Sequence, residues 1–496
     1  MDIKRGVCNL IDGKWVGASS GKTFPNLNPA TEDILGHFPS STEKDIDLAV
    51  AAAWRALDSW RKRPVAQRGE ILHRAHLLLK ERKEELARIE TIEMGKVLKE
   101  ARGDVQEAVD TGFYYAGEGR RLFGQTTTSE LPDKFSMSIR TPVGVCGLIT
   151  PWNFPTAIPS WKVFPALICG NTMVFKPAED TPLSATHFVD ALQEAGLPDG
   201  VLNLVHGGPK TGGMLVQHPG IDLVSFTGSS EIGAKIGSYC GGHHKRFSLE
   251  MGGKNAQIVM EDANLDLALE GALWGAFGTS GQRCTATSRL IVHEAVYKKF
   301  TEMLVERAKR LKIGNGLDES VEMGPLINAK QLRRVHRYVE IGRKKDKATV
   351  LLGGEILREG ELKRGHFYPP TIFANGHPRM IIAQEEIFGP VTLLMKIRSF
   401  EEAIRVLNST AYGLSGSIYT QDINRVMQAI RDMETGITYI NSPTIGAEVH
   451  LPFGGVKQTG NGHREAGPTA LDIFSEWKAV YIDYSGKLQK AQIDVE

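Results

Sequence analysis

Cysteine is scarce in this sequence, with 5 residues among 496. None of the five belongs to a C-x-x-C pair, none has metal-type spacing to a histidine, and their number is odd. These features argue against a disulfide framework and against a zinc site, so no metal site is predicted. A reducing compartment is the expected setting for such a chain.

An excess of charge and long apolar runs are lacking as well. The 59 basic residues are nearly matched by 58 acidic ones, so no excess charge is available to bind a phosphate polymer or an acidic membrane surface. No uncharged apolar run approaches the roughly 18–20 residues of a membrane span, and the N-terminal segment has no apolar stretch of signal-peptide length. We therefore expect no nucleic-acid or membrane partner, and a cytoplasmic location.

What the sequence does contain is an alternation of helical and β-rich segments. Apolar residues recur at helical spacing after Thr42, at Ile46, Val50, Ala53, Trp54 and Leu57, and again over 71–79. Between 143 and 250, helical stretches separate the β-rich runs VGVCGLI, TMVFK, VLNLV, LVSFT and FSLE. Strands alternating with helices predict parallel βαβ units, which bind nucleotides at the carboxyl ends of their strands.

A second alternation follows after Gly253. It includes a small-residue segment with Ala268, Ala272 and Ala276, a charged helix over 296–311, and the runs RLIV, TVLLGG, MIIA and ITYI. A chain of 496 residues exceeds the roughly 250–300 residues of a single core, so two or more domains are expected. The pattern predicts a second α/β domain.

Five segments have an unusual composition. GTSGQRCTATSRL (278–290) places Cys284 among Gly, Ser, Thr, Gln and Arg. A buried structural cysteine prefers apolar neighbours, whereas a reactive thiol needs access and polar groups that favour its thiolate. The other four each end a predicted strand, where ligands lie in an open parallel sheet. They are TPWNFP (150–155), KPAE (176–179), FTGSSEIG (226–233) and LEMGGKN (249–255).

Together with EEIFGP (385–390) and LPFGG (451–455), these segments resemble the signature motifs of the NAD(P)-dependent aldehyde dehydrogenase superfamily, in the same order along nearly the whole chain. The resemblance implies an α/β fold with two Rossmann-like parallel-sheet domains and a small β oligomerisation element that builds a homodimer or homotetramer. The implied ranges are 1–123 and 143–253 for the NAD(P)-binding domain, 254–448 for the catalytic domain, and 124–142 with 470–496 for the oligomerisation element.

The resemblance also implies three catalytic residues. Cys284 matches the nucleophile, whose thiolate adds to the aldehyde carbon and later carries the acyl group as a thioester. Asn153 matches the oxyanion-hole amide, with the Cys284 N–H as second donor. Glu250 matches the general base that activates the hydrolytic water, and its presence favours release of the free acid over transfer to coenzyme A. The alternatives are an inert thiol, a turn-forming asparagine and a surface glutamate.

The resemblance also implies which residues hold the cofactor. The G-x-x-x-x-G of 228–233 follows a predicted strand and precedes a helix, as a pyrophosphate loop does. Glu179 is expected to favour NAD over NADP, because it accepts from the ribose 2′-hydroxyl and repels a 2′-phosphate. The alternative for Lys176, Glu179 and Glu386 is that they form exposed salt bridges or are ordinary loop residues. The implied cofactor residues are Trp152, Lys176, Glu179, Gly228, Ser229, Gly233, Glu386 and Phe388.

The resemblance implies an aldehyde substrate, and Arg283 directly before the nucleophile suggests its type. The run GQRCTATSR is similar to that of family members acting on 2-oxoglutarate semialdehyde or α-aminoadipic semialdehyde, and a guanidinium suits a carboxylate. Phe154, Trp161 and Phe453 occupy tunnel-lining positions of the family. Alternatively, Arg283 braces its own loop against a backbone carbonyl, and the tunnel accepts a broad range of aliphatic and aromatic aldehydes.

One departure and two rival functions remain. Many family members carry a second carboxylate beyond Gly-Arg-Glu near the C-terminal end; in GHREAGPTA the matching position falls on Pro468, so no such carboxylate is expected. A cofactor-free cysteine hydrolase would need a histidine partner for Cys284, and no Cys–His signature stands out. A non-catalytic structural protein would tend to lose the three catalytic residues, which are present.

Overall fold

The computed structural model describes residues 8–490 and 492–493. The first residues of the predicted NAD(P)-binding segment (1–7) and parts of the predicted oligomerisation segment (491 and 494–496) lie outside the described residues.

The strands in chain order are β1 (Asn9–Ile11), β2 (Lys14–Val16), β3 (Thr23–Leu27), β4 (Ile34–Pro39), β5 (Gln125–Thr128), β6 (Lys134–Pro142), β7 (Val145–Ile149), β8 (Thr172–Lys176), β9 (Leu202–Leu204), β10 (Leu223–Thr227), β11 (Arg246–Glu250), β12 (Asn255–Val259), β13 (Thr287–His293), β14 (Thr349–Leu352), β15 (Thr371–Ala374), β16 (Val391–Ile397), β17 (Tyr412–Gly413), β18 (Ser415–Tyr419), β19 (Ile437–Ile440), β20 (Val456–Lys457) and β21 (Ser475–Asp483).

The α-helices are α1 (Glu43–Lys62), α2 (Val65–Glu81), α3 (Lys83–Met94), α4 (Leu98–Gly117), α5 (Ala157–Cys169), α6 (Pro182–Glu194), α7 (Pro209–Gln217), α8 (Ser230–Gly242), α9 (Leu265–Phe277), α10 (Glu294–Lys309), α11 (Ala329–Lys344), α12 (Ile381–Gln384), α13 (Phe400–Asn408), α14 (Ile423–Asp432) and α15 (Ala470–Phe474).

The first large sheet contains all five β-rich runs predicted between 143 and 250. Its order is β11-β10-β7-β8-β9-β1-β2, with β7 to β11 parallel and β1 and β2 added antiparallel at one edge. The chain builds outward from β7 through β8 to β9 and then returns to the other side of β7 with β10. This reversal creates a switch point between β7 and β10, where open parallel sheets bind ligands.

Helices cover both faces of this sheet because its strands are apolar on both sides. Along β7, Cys146 and Leu148 pack into one core with α2, α4, α5 and α6, whereas Val145 and Ile149 pack into the other with α1, α7 and α8. The predicted first helix is confirmed, with Thr42 at its N-cap. Trp54, counted with the apolar face, is instead 46% exposed, and its Nε1 donates to the Gly220 carbonyl at 2.8 Å.

The second large sheet has the order β14-β15-β16-β13-β12-β18-β19 and is parallel except for the β14–β15 pair. It confirms the second α/β unit. One apolar run differs from a strand: MIIA contributes to the short helix α12. The two carboxylate oxygens of Asp346 accept from the N–H groups of Ile381 and Ile382 at 3.0 and 2.9 Å, which stabilises a helix start there.

A small antiparallel sheet lies apart from the two large ones. β6 pairs with β5 on one side and along nine residues with β21 on the other. It leaves Phe135, Trp477 and Tyr481 exposed. The predicted small β element is therefore present, and its role in assembly stays a prediction. Within the described ranges, none of the helices combines the length and apolarity that crossing a membrane requires.

Candidate active site

Two cavities meet at Cys284. A cleft of about 700 Å³ runs past the carboxyl ends of β7 and β10, and a tunnel of about 310 Å³ approaches from the other side. Cys284 lines both of them, together with Ile158, Thr227 and Met251. The thiol is therefore accessible from two directions, so that two different molecules can reach it at once.

The loop before Cys284 has a backbone that the tertiary structure must impose. Thr279 and Ser280 have φ values of 52° and 54°, which non-glycine residues rarely adopt. The Thr279 N–H donates to both carboxylate oxygens of Glu100 on α4, at 2.8 and 2.9 Å. Gly281 is required, because a Cβ there would lie 2.2 Å from the Gly389 carbonyl oxygen. These contacts place Cys284 at the junction of the two cavities.

The Cys284 thiol is partly buried, and its pKa is raised to about 12 by that burial and by the nearby Glu386 and Glu250 carboxylates. The polar sequence neighbours alone therefore do not lower the pKa of the thiol in this arrangement, and the reactivity of Cys284 stays a prediction. The polar groups of the loop bond to one another and to α4 instead; Arg283 Nε, for example, donates to Thr279 Oγ1 at 2.9 Å. The thiol needs a nearby base to become a nucleophile.

Asn153 lies directly after β7 and lines the cleft beside Cys284. Its Nδ2 donates one hydrogen bond, to the Gln282 carbonyl at 3.1 Å, so its second N–H remains available for an oxygen bound next to the thiol. The loop between β7 and α5, which carries Asn153, is held by α4: Asp104 Oδ1 accepts from the N–H of Ala157, the first residue of α5, at 2.6 Å. Asp104 is held in turn by Lys96 Nζ, at 2.6 Å.

Glu250 ends β11 and lines the tunnel. It is 2% exposed, and neither carboxylate oxygen has a hydrogen-bond partner among the described residues. The surface-glutamate alternative is therefore wrong. Burial first, and then the charge of Glu465, hold the pKa of Glu250 well above its usual range. A carboxylate with a raised pKa is a stronger base at neutral pH.

A second carboxylate near Glu250 comes from Glu465 and not from the Pro468 position, where none was expected. The Arg-Glu dipeptide itself supplies a second carboxylate, which lines the tunnel and accepts a short hydrogen bond from Lys162 Nζ. Lys162 also donates to Ser225 Oγ at 2.9 Å. An antiparallel bridge between Phe453 and Glu465 turns the chain back into the site. Lys162 was the available signal, because a lysine inside the apolar helix α5 requires a buried partner.

Five of the eight predicted cofactor residues line the cleft: Trp152, Gly228, Ser229, Glu386 and Phe388. The rings of Trp152 and Phe388 meet edge to face with centroids 5.3 Å apart. Glu386 Oε1 accepts from the Gly253 N–H at 3.0 Å. These groups come from both large sheets, so the cleft lies between them.

The other three predicted cofactor residues do not line the cleft. Lys176 is buried, and its Nζ donates to the carbonyls of Pro177 and Gly207 at 2.6 and 2.7 Å. Burial lowers the pKa of Lys176 to about 8. Glu179 lies beyond the end of β8, near Lys176. Gly233 serves packing, because a Cβ there would lie 2.3 Å from Met251 Sδ.

The cleft fits a dinucleotide. Helix α8 begins at its wall, with Ser229 as N-cap and Ser229 Oγ accepting from the Ile232 N–H at 3.4 Å. The free N–H groups at a helix start bind phosphate. Gly252 allows the Glu386 carboxylate to lie close to the backbone, because a Cβ at residue 252 would be 2.3 Å from a Glu386 carboxylate oxygen.

All four predicted substrate residues, Phe154, Trp161, Arg283 and Phe453, line the tunnel. The Trp161 and Phe453 rings have centroids 4.7 Å apart and form part of an apolar wall. Lys96 Nζ lies 4.1 Å from the centroid of the Phe154 ring, which fixes that ring from behind.

Arg283 lines the tunnel and braces its loop at the same time. Its guanidinium lies 4.7 Å from the Trp274 ring centroid, and its Nη2 lies 3.5 Å from Glu100 Oε1. Arg283 holds its loop through the Thr279 hydroxyl and the Glu100 carboxylate, and not through a backbone carbonyl as the alternative supposed. Within residues 8–490 and 492–493, Nη1 donates no hydrogen bond, so its N–H groups can bind a ligand.

Sequence reasoning missed the carboxylates of α4. Glu100, Asp104 and Glu107 lie on one face of this helix and line the tunnel. Glu107 Oε1 accepts from Trp161 Nε1 at 3.2 Å, and burial raises the pKa of Glu107 to about 7. Their i, i+4, i+7 spacing was the available signal. In the described part of the chain, His, Cys, Asp and Glu form no group of three or more arranged to hold a metal ion.

A doubly wound sheet, a helix start at its switch point and a thiol between a cleft and a tunnel define a dinucleotide-binding α/β enzyme. The model of the aldehyde dehydrogenase family matches residues 15–480, and the chain belongs to this family. It is an NAD(P)-dependent enzyme that oxidises an aldehyde to the acid, as the sequence motifs predicted. This assignment decides against a cofactor-free hydrolase and against a structural protein.

Individual relatives are similar along nearly their whole length. The chain is 44% identical to an alpha-ketoglutaric semialdehyde dehydrogenase of Bacillus subtilis, covering 96% of this chain and 97% of that one. It is 42% identical to an alpha-ketoglutarate semialdehyde dehydrogenase of Haloferax volcanii, covering 96% and 99%. A crystal structure of betaine aldehyde dehydrogenase from Staphylococcus aureus in complex with NAD⁺ superposes with a TM-score of 0.95 at 34% identity, covering 98% and 97%.

Proposed function

We propose that this enzyme oxidises a semialdehyde with a carboxylate at its far end, with NAD as the preferred cofactor. The observation that carries the proposal is that Cys284 lines both the cleft and the tunnel, while Arg283 lines the tunnel next to it. The cofactor then occupies the cleft, and the aldehyde reaches the thiol through the tunnel.

In the proposed mechanism, the Cys284 thiolate attacks the aldehyde carbon. The N–H of Asn153 Nδ2 and the Cys284 N–H stabilise the resulting oxyanion. A dinucleotide held in the cleft would supply the hydride acceptor, and Cys284 then carries the acyl group as a thioester. Glu250 then takes a proton from a water that attacks the thioester and releases the acid.

The raised pKa values of Cys284 and Glu250 are connected in this mechanism. Because burial holds the thiol protonated at neutral pH, a base must receive its proton before the attack. Glu250 lines the same tunnel, has no hydrogen-bond partner among the described residues and is made more basic by burial and by Glu465. We assign it both proton transfers, from the thiol and from the hydrolytic water.

An acidic substrate is supported by Arg283 and by the relatives. Two relatives of at least 42% identity are named for alpha-ketoglutarate semialdehyde, an aldehyde with a carboxylate. Arg283 has one side of its fork free, and Phe154, Trp161 and Phe453 would contact the aliphatic part of such a molecule. Glu100 partly neutralises Arg283, so the contribution of the guanidinium to substrate binding must be measured.

We expect Arg283→Ala to lower kcat/KM for 2-oxoglutarate semialdehyde about 10- to 100-fold, because a hydrogen bond to a charged group contributes roughly 1.5–3 kcal/mol. Steady-state kinetics would also be measured with pentanal, a neutral aldehyde of the same length. For pentanal, kcat/KM of the variant should change little. Arg283→Lys should recover part of the loss for the acidic substrate. Equal losses on both aldehydes would mean that Arg283 only braces the loop.

We expect kcat/KM with NAD to exceed that with NADP by about tenfold or more, which corresponds to at least ~1.4 kcal/mol. Glu179 would repel a 2′-phosphate, and Lys176 is a weak counter-charge because its Nζ is buried and already donates to two carbonyls. Glu179→Gln should bring the kcat/KM values with NAD and with NADP closer together. Glu231→Gln, at the start of α8, serves as a control and should leave their ratio nearly unchanged. Equal use of both cofactors by the unaltered enzyme would contradict the ribose argument.

We propose the domain division predicted from the sequence for this chain, and a homodimeric or homotetrameric assembly in the cytoplasm. The division is supported by the sheets, because all strands of the second large sheet fall between 255 and 440. The assembly is supported by the exposed Phe135, Trp477 and Tyr481 of the small sheet, since such side chains favour a protein contact.

A further inference from the structure

Helix α11 presents basic side chains to the cofactor cleft. Lys330, Arg333 and Arg337 recur at i, i+3 and i+7 and line the same cleft as Ser229, at the start of α8. We call these three residues the α11 basic face. Arg333 and Arg337 are exposed, so their charges also reach the solvent at the mouth of the cleft.

The charges of the α11 basic face have no ion-pair partner in the described part of the chain, although Asp180 and Glu231 interact with Lys330 at longer range. None of its three residues forms an ion pair with any described residue, whereas Arg343 on the same helix pairs with Glu340 and Glu355. The net charge of the whole chain is only +1, so this concentration of positive charge is local. The cleft therefore has an unbalanced positive potential along one wall.

The acidic residues of the cleft offset this potential only in part. Glu231 pairs with Lys235 at 2.6 Å and interacts with Lys330 of the α11 basic face only at longer range. Glu386 accepts from the Gly253 N–H, and burial raises its pKa, which disfavours its charged form.

Helix α11 also extends between the two ends of the cofactor site. At its start, Asn328 Nδ2 donates to Asp180 Oδ1 at 2.9 Å, next to the ribose residue Glu179. Nearly two turns further, Arg334 Nη2 donates to the Glu386 carbonyl at 2.7 Å, on the nicotinamide side. Lys330 and Arg333 thus lie between the two ends of the dinucleotide site, where the two phosphates belong, and Arg337 lies one turn beyond Arg333.

We propose that the α11 basic face is an electrostatic capture surface for the phosphates of NAD(P), which accelerates cofactor association. This inference rests on the cofactor site proposed above. Charges lining a cleft raise the association rate of an oppositely charged ligand by 10- to 1,000-fold, and salt weakens the effect. NADPH, with its additional phosphate, is attracted more strongly than NADH.

The test is stopped-flow measurement of NADH and NADPH binding, followed by energy transfer from the protein tryptophans. In Lys330→Gln/Arg333→Gln/Arg337→Gln, the association rate constant should fall about tenfold for NADH at low ionic strength and further for NADPH. Its dependence on salt should become weaker. The dissociation rate constant should change less, because steering acts on encounter.

The matched control removes three unpaired lysines elsewhere: Lys298→Gln/Lys299→Gln/Lys396→Gln. These residues are exposed and line neither cavity. If both triple variants slow association equally, or if the α11 variant associates as fast as the unaltered enzyme, the inference is overturned. Ser229→Glu separates this failure from that of the proposed site: unchanged NADH affinity in Ser229→Glu would mean that the cofactor binds elsewhere.

Discussion

Cys284→Ala is expected to abolish aldehyde oxidation, with kcat lowered by ~10⁴-fold or more, because the step that forms the covalent intermediate has no other nucleophile. Cys146, Cys169 and Cys240 are buried in β7, α5 and α8 and line neither cavity. The variant should still bind NADH, since its phosphate and ribose contacts are untouched. Absorbance of the reduced cofactor and NADH fluorescence titration measure the two properties.

Cys240→Ala is the matched control for this experiment. It removes a thiol of the same chain from a buried helix position and should retain most of the dehydrogenase activity. Turnover by Cys284→Ala above about 1% of the unaltered enzyme would contradict the assignment of the nucleophile. Loss of NADH binding in Cys284→Ala would instead show that the cleft depends on the thiol for its structure.

Glu250→Gln is expected to give a burst of reduced cofactor that approaches one per active site but forms more slowly than in the unaltered enzyme, because Glu250 also takes the thiol proton, followed by turnover slowed about 10²- to 10⁴-fold. The amide has the shape of the carboxylate but cannot accept a proton from water, so the thioester accumulates. Rapid mixing measures the burst, and mass spectrometry of the quenched protein detects the acyl group. A small burst with slow formation would mean that Glu250 acts mainly on the thiol, and steady turnover at the normal rate would contradict both roles.

The pH dependence gives this prediction a second readout. The pKa of Glu250 is raised, so the carboxyl is protonated and inactive as a base below that pKa and becomes active above it. Thioester hydrolysis by the unaltered enzyme should therefore rise with pH through the pKa of Glu250, and Glu250→Gln should lose this rise. Glu107→Gln, another tunnel carboxyl, serves as control and should show no accumulation of thioester.

Much of the fold followed from local patterns. The β-rich runs between 143 and 250 became β7 to β11 because both faces of a parallel sheet are covered by helices, which requires continuous apolar strands. The motif segments after β7, β10 and β11 converged on the cleft because parallel strands place their carboxyl ends at one edge, whereas KPAE after β8 does not line it. The run MIIA was ambiguous, because four apolar residues are compatible with a strand or with a buried helix. Asp346, distant in sequence, stabilises the helix by accepting hydrogen bonds at its start.

The sequence by itself determined the family, the two sheets and the chemical groups of the site, because these depend on motifs and on local periodicity. Only the tertiary structure decided how those groups interact. Glu100 meets Thr279 across 179 residues of sequence, and Glu465 meets Lys162 across 303. Burial of Cys284 and Glu250 raises both pKa values, although no neighbouring residue in the sequence indicates it. Desolvation and charge interactions depend on distances in space, and folding alone sets them.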